Sequence, residues 1–167
     1  MDKLVYIGLG SNVGDRFNHI QSAVKELKQR LNAEILALSS IYETSPVGVK
    51  DHPYFLNAVC LIKTNYEPLN ILKNLLYIEE CHGRTTKNRD EPRTLDLDLL
   101  LYGEDVLNEC QLTIPHPRII KRAFVLVPLV EIDPNLSHPS WNMNVTQLLD
   151  SLDTQDTVKK VSNSDRN

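Results

Sequence analysis

Asp96 and Asp98 stand two residues apart in TLDLDLLL, residues 94 to 101. In a strand, side chains alternate between faces, so both carboxylates point one way while Leu95, Leu97 and Leu99 point the other. Their Cα atoms lie about 7 Å apart along such a strand. Aspartate is depleted in strands, and two like charges on one face repel unless cations compensate them. Hard oxygen ligands on a rigid strand suit Mg²⁺, above all where substrate phosphates complete the octahedron. A solvated edge face is the alternative reading. The neighbouring cations favour chemistry: Arg84, Lys87, Arg89 and Arg93 precede the strand, and His116, Arg118, Lys121 and Arg122 occupy a later loop. Carboxylates for metal and cations for phosphate oxygens are complementary parts of one nucleotide site.

A second set combines Thr44, Ser45, Pro46 and Val47 with Phe55 and Asn57. An asparagine carries donors and an acceptor that can read the edge of a flat heterocycle, and an aromatic ring can stack on its face. Core packing of Phe55 and a turn role for Asn57 are the plainer alternatives. GLGSNVGD, residues 8 to 15, invites a dinucleotide reading, but GxGxxG needs glycine where Val13 stands, and no Gly-Lys-Ser/Thr ending follows. It reads as a tight strand-to-helix turn capped by Asp15. Cys60, Cys81 and Cys110 form an odd set with no metal-ligand spacing and are expected as buried free thiols.

These residues need a frame. Leu4, Val5, Tyr6, Ile7 and Leu9 predict a buried strand that ends in the glycine-rich turn, and Phe17, Ile20, Val24, Leu27 and Leu31 predict a helix stopped at Asn32. Residues 33–42 and 54–64 read as strands flanking a loop over 44–53. Pro68 opens a second helix with Ile71, Leu72, Leu75, Ile78 and Cys81 on one face and Gly83 at its end. The strand Thr94–Tyr102 follows, then a small hairpin over 106–114 and helical patches near 124–131 and 145–152. The order β-α-β-β-α-β is the split βαβ arrangement of an α+β, ferredoxin-like sandwich with a C-terminal extension. One domain over 1–152 and a flexible tail over 153–167 are expected.

The chain has 167 residues, 41% apolar and 24% charged, close to the globular average, so disorder is excluded as the default. A formal charge of −4 argues against a nucleic-acid coat or a polybasic membrane anchor. The longest apolar stretch, Ala123 to Val130, falls short of the roughly 20 residues a membrane span needs. Strand-like residues begin at once and no leader is read, so a cytoplasmic protein is expected.

Taken together, GLGSNVGDR, SSIYETSPVG with DHPYFLNAV, IEECHGR, PRTLDLDLLLYG, LTIPHPR and RAFVLVPLVEIDP resemble, in order over residues 8 to 134, the 6-hydroxymethyl-7,8-dihydropterin pyrophosphokinases of folate synthesis. The resemblance implies transfer of pyrophosphate from ATP to the pterin hydroxymethyl group, with release of AMP, by a stand-alone monomer. It implies two Mg²⁺ ions on Asp96 and Asp98. Arg93, His116 and Arg122 would contact ATP phosphates, with Arg84 in a mobile catalytic loop. Thr44, Pro46 and Val47 would line the pterin pocket, Asn57 would read the heterocycle, and Phe55 and Phe124 would sandwich it. Glu79 would lie near the adenosine and Thr113 near the nucleotide. The chain departs from the family pattern at Thr86, Asp90 and Glu91, which leaves Lys87 and Arg89 as alternatives for a second loop cation. Other readings are a different Mg-dependent phosphoryl or nucleotidyl transferase and a ligand-sensing module without turnover. RNA binding is disfavoured because the strands lack aromatic RNP patterning.

Overall fold

A computed structural model describes residues 1–44, 54–83, 94–153 and 157–161. Its elements are β1 (Lys3–Ser11), α1 (Arg16–Arg30), β2 (Glu34–Leu38), β3 (Tyr42–Thr44), β4 (Phe55–Thr64), α2 (Pro68–Cys81) and β5 (Asp96–Tyr102), then β6 (Leu107–Asn108), β7 (Thr113–Ile114), α3 (Ala123–Ile132), α4 (Val145–Ser151) and β8 (Val158–Lys160). The main sheet runs β5-β1-β4-β3-β8, with β2 also on β4, and every pairing is antiparallel. This is the expected ferredoxin-like α+β fold, with α3, α4 and β8 added.

Period-2 alternation divides the sheet into two faces. Val5, Ile7 and Leu9 of β1, Leu56, Ala58, Cys60 and Ile62 of β4, and Leu97 and Leu99 of β5 form one buried cluster with Ile20 and Leu27 of α1 and Ile71, Leu75 and Ile78 of α2. Tyr6, Val59, Leu100 and Leu101 form the other, under Val125, Leu126 and Leu129 of α3 and Val145 of α4. A register shift between Tyr6 and Ile7 lets Leu100 and Leu101 both reach that second cluster.

The helices start and stop for identifiable reasons. The Asp15 carboxylate accepts from Asn18 N at 3.2 Å and caps α1, and Asn32, at φ +45°, turns the chain beyond it. Pro68 opens α2, where its missing N–H costs no helical bond. Asn144 and Gln147 form a reciprocal capping box at α4.

Four expectations need correction. The single strand over 33–42 is two strands, because Ser39 Oγ takes the Val59 N–H at 2.9 Å and Ser40 turns to Glu131 of α3, whose carboxylate accepts from Ser40 N and Oγ. β1 does not end before the glycines: Gly8 and Gly10 are paired strand residues, and the turn begins only after Ser11. Within the supposed tail, Val158–Lys160 pairs with β3 and Val161 N donates to Ile41 O at 2.9 Å. Only Cys60 of the three cysteines is buried; Cys81 and Cys110 are exposed. Burial pushes the Cys60 thiol up to about 12, which makes it inert. Among the described residues, no helix is long and apolar enough to cross a membrane.

Candidate active site

The strand register builds the site. Gly10 of β1 pairs with Asn57 of β4 on one side and Asp96 of β5 on the other, and Asn57 pairs with Tyr42 of β3. One step along, Gly8 lies between Val59 and Asp98. Cross-strand partners share a face, so both carboxylates, Asn57, Tyr42, Thr44 and Phe55 all belong to the α3 side of the sheet. The two glycines add no side chain between them. With neighbouring strands about 4.8 Å apart, the Asn57 and Asp96 backbones are separated by about 10 Å of bare floor.

That floor has no slack at Gly10. A Cβ there would stand 3.0 Å from Asn57 Oδ1 and 3.9 Å from Asp96 Cβ. Asn57 is itself held, its Nδ2 donating to Thr44 Oγ1 at 2.8 Å, with both residues buried. One amide edge is thus spent on position, and the carbonyl side faces the glycine.

The carboxylate end is more open. Asp96 and Asp98 are half-buried, while Leu95, Leu97 and Leu99 between and beside them are buried on the opposite face as expected. His116 Nε2 approaches Asp98 Oδ1 at 3.9 Å. Arg118 N donates to His116 Nδ1 at 3.2 Å, which assigns the imidazole proton to Nε2, on the Asp98 side. The backbone bond from His116 N to Leu100 O at 3.0 Å fixes that loop against β5.

On the facing helix, Arg122 is the N-cap of α3, and its guanidinium carbon lies 5.3 Å from the Phe124 ring centre. Phe124 packs partly buried against the α3-side cluster. The helix is moored over β3 by Glu131, which accepts from Ser40 and from Tyr42 Oη at 2.7 Å. Burial raises the Glu131 carboxyl, but the hydrogen bonds from Ser40 and Tyr42 and the Lys160 charge outweigh it and hold the group below its ordinary value.

Two further expected site residues flank this row. Glu79 is buried on α2, and its Oε2 accepts Leu97 N at 2.8 Å, so it covers the outer edge of β5 between the two aspartates. Thr113 is exposed on the β6–β7 ribbon, just before the cis Ile114–Pro115 bond. Pro46 and Val47, and the cations Arg84, Lys87, Arg89 and Arg93, lie outside the described residues. Gly8, Gly10, Tyr42 and Glu131 escaped the sequence reading. The signal for the glycines was present, since GLG repeats at the same period as DLD and pairs with it.

The chemistry of the donor set fits a hard divalent ion: two carboxylates on a rigid strand, half open to solvent. Among the described residues, no group of three or more His, Cys, Asp or Glu could enclose a metal. A bound Mg²⁺ would therefore take its remaining ligands from water and substrate oxygens, its usual habit.

Comparison with known proteins bears on this arrangement. The family model described as 7,8-dihydro-6-hydroxymethylpterin-pyrophosphokinase matches residues 6–134. The chain is similar to the 2-amino-4-hydroxy-6-hydroxymethyldihydropteridine pyrophosphokinase of Bacillus subtilis, 46% identical over 132 residues, which are 79% of this chain and 79% of that protein. It is also similar to the folic acid synthesis protein fol1 of Schizosaccharomyces pombe, 40% identical over 154 residues, covering 92% of this chain and 21% of that protein. The chain therefore spans about a fifth of the longer fungal relative. The crystal structure of wild-type Plasmodium falciparum HPPK-DHPS with pteroate superposes with a TM-score of 0.72 at 16% identity, over 90% of this chain and 42% of that one, a likeness of fold. By its match along residues 6–134 and its identity to bacterial relatives of similar length, the chain belongs to the 7,8-dihydro-6-hydroxymethylpterin-pyrophosphokinase family.

Proposed function

We propose that the chain transfers the pyrophosphoryl group of ATP to the hydroxymethyl group of 6-hydroxymethyl-7,8-dihydropterin, releasing AMP, as a step of folate biosynthesis. The observation that carries the reading is the row Asn57–Gly10–Asp96, which sets an amide reader and a carboxylate on either side of a glycine that adds no side chain between them. A heterocycle held at Asn57, with Phe55 and Phe124 on its faces, would extend its hydroxymethyl arm over Gly10 towards the carboxylates. Thr44 fixes the amide that reads the ring. Pro46 and Val47 complete this pocket in the same reading.

At the other end, Asp96 and Asp98 would hold Mg²⁺, two ions in this reading. When bound, the metal neutralises charge on the bridging phosphate oxygens. In this reading His116 and Arg122 add positive or donor groups around the same oxygens, and the family resemblance assigns Arg93, Arg84 and either Lys87 or Arg89 to them as well. Attack at the β-phosphorus leaves little covalent chemistry for the protein; positioning and electrostatic stabilisation supply the rate. Glu79 contributes by accepting Leu97 N, which anchors the strand between the carboxylates to α2. In this reading the chain works as a monomer, in the cytoplasm.

The test is to incubate the protein with MgATP and the hydroxymethyldihydropterin and separate the nucleotides. AMP formation that depends on the pterin is expected. ADP, or no turnover, overturns the assignment in favour of a simple kinase or a binding module.

A further inference from the structure

Away from the site, α1 and α2 meet through a chain of three side chains. His19 and His82 bring their Nδ1 atoms to 2.7 Å, with ring centres 4.9 Å apart in an edge-to-face arrangement. On its far side, His82 Nε2 lies 2.9 Å from Glu26 Oε2, and the His82 side chain is only 10% exposed. A nitrogen–nitrogen contact this short is a hydrogen bond, so one Nδ1 carries a proton and the other does not. With both rings neutral, His82 donates from Nε2 to Glu26 and accepts at Nδ1 from His19. With one added proton, His82 donates from both nitrogens, and His19 moves its own proton to Nε2. The bond survives in either state. A second added proton puts hydrogen on both Nδ1 atoms and a positive charge on both rings, and the contact must break.

The pair is placed to matter. His82 is the C-cap of α2, its N–H donating to Ile78 O and Glu79 O. One turn earlier, Glu79 holds the Leu97 N–H between Asp96 and Asp98. From α1 and its cap the pair meets Glu26 and Asp15; from α2, Cys81 beside His82 is exposed, and Glu79 is turned to β5. Burial and then the His82 charge lower the His19 proton affinity, against a smaller opposing pull from Asp15.

We propose that His82 is a positioning residue whose link to His19 and Glu26 clasps the carboxyl end of α2 to α1, remains closed with up to one added proton, and opens with two. Opening frees the last turn of α2, loosens Glu79 on Leu97, and so slackens the strand that carries Asp96 and Asp98. The effect on nucleotide binding rests on the function proposed above; the proton count does not.

Two measurements on the full chain separate these claims. Nitrogen-resolved NMR of the imidazoles should show, at pH 7.5, one proton between the two Nδ1 atoms, and on acidification two coupled titration steps with loss of that shared signal in the second. Two rings titrating independently would overturn the clasp. In the kinetic arm, KM for MgATP should rise about fivefold across the second of the two steps seen by NMR, the scale of one lost hydrogen bond. His19→Asn retains an amide that can donate to or accept from His82 and should flatten that rise, while His19→Ala should show a raised KM across the whole range. A profile for both variants that matches the unmodified chain overturns the positioning role, whatever the NMR shows. If neither variant folds, the NMR arm on the unmodified chain still decides the clasp.

Discussion

The same three central strands present opposite characters on their two faces. Towards α1 and α2, β1, β4 and β5 offer Val5, Ile7, Leu9, Leu56, Ala58, Cys60, Ile62, Leu97 and Leu99, all closed from solvent. Towards α3 and α4, the intervening positions are Tyr6, Gly8, Gly10, Asn57, Val59, Asp96 and Asp98, and the helices pack on the Tyr6–Val59 end. One face is a core and the other is half core, half site. Alternation lets a chain spend every second residue on stability while the residue between is free for chemistry. The carboxylates can repel one another because the leucines beside them hold the strand in place.

That contrast can be broken most severely at the carboxylates. Asp96→Asn with Asp98→Asn should lower AMP formation about a thousandfold or more, the scale of losing transition-state electrostatics, while the melting temperature stays within a few degrees. AMP formation at an undiminished rate would refute the division of labour. On the opposite face, Leu75→Ala should remove about 2–5 kcal/mol of stability by leaving a cavity, read as a lowered denaturant midpoint with KM values for both substrates unchanged at low temperature. A change in substrate affinity there would mean the faces are coupled.

Smaller effects sharpen the comparison. Phe55→Ala should weaken pterin binding about tenfold and ATP binding little, because stacking is worth about 0.5–1.5 kcal/mol beyond the area it buries; equal losses by calorimetry would remove the stacking role. Gly10→Ala should also weaken pterin binding, since its Cβ would crowd Asn57 Oδ1 at 3.0 Å, with a smaller change in ATP affinity. The least effect belongs to Tyr42. Burial, then its hydrogen bond to Glu131 and the charge of that carboxylate, push its hydroxyl up to about 12. The folded chain therefore holds a proton that the unfolded chain releases near 10, so this stability is complete below pH 10 and is lost as pH rises towards 12. Tyr42→Phe should cost about 1 kcal/mol at neutral pH and narrow its gap to the unmodified chain in alkaline melts.

Strong periods were easy to read. The leucine–aspartate alternation of β5 and the helical faces of α1 and α2 each admit one burial pattern, and the order of elements then limits the topology. The glycines of β1 were harder, because Gly-rich segments signal turns and only pairing with Asp98 and Asp96 reveals a floor. Ser39 broke a strand through its own hydroxyl, an interaction that depends on Val59, twenty residues away. The three residues of β8 carry no apolar rhythm of their own, and their place depends on a partner edge at β3. His19 and His82, 63 residues apart, meet only once the two helices are packed. What was legible was local; what was missed needed a neighbour distant in sequence.

The treatment of the sheet margins has a consequence for solubility at high concentration. Glu79 already accepts the outward Leu97 amide of β5, and β8 takes up the outward side of β3, itself ending in the exposed Lys159 and Lys160. A second molecule seeking to add a strand at β5 or β8 finds the first occupied by a carboxylate and the second fringed with positive charge, so ribbon-like pairing through these two margins is disfavoured without any contribution from the catalytic groups.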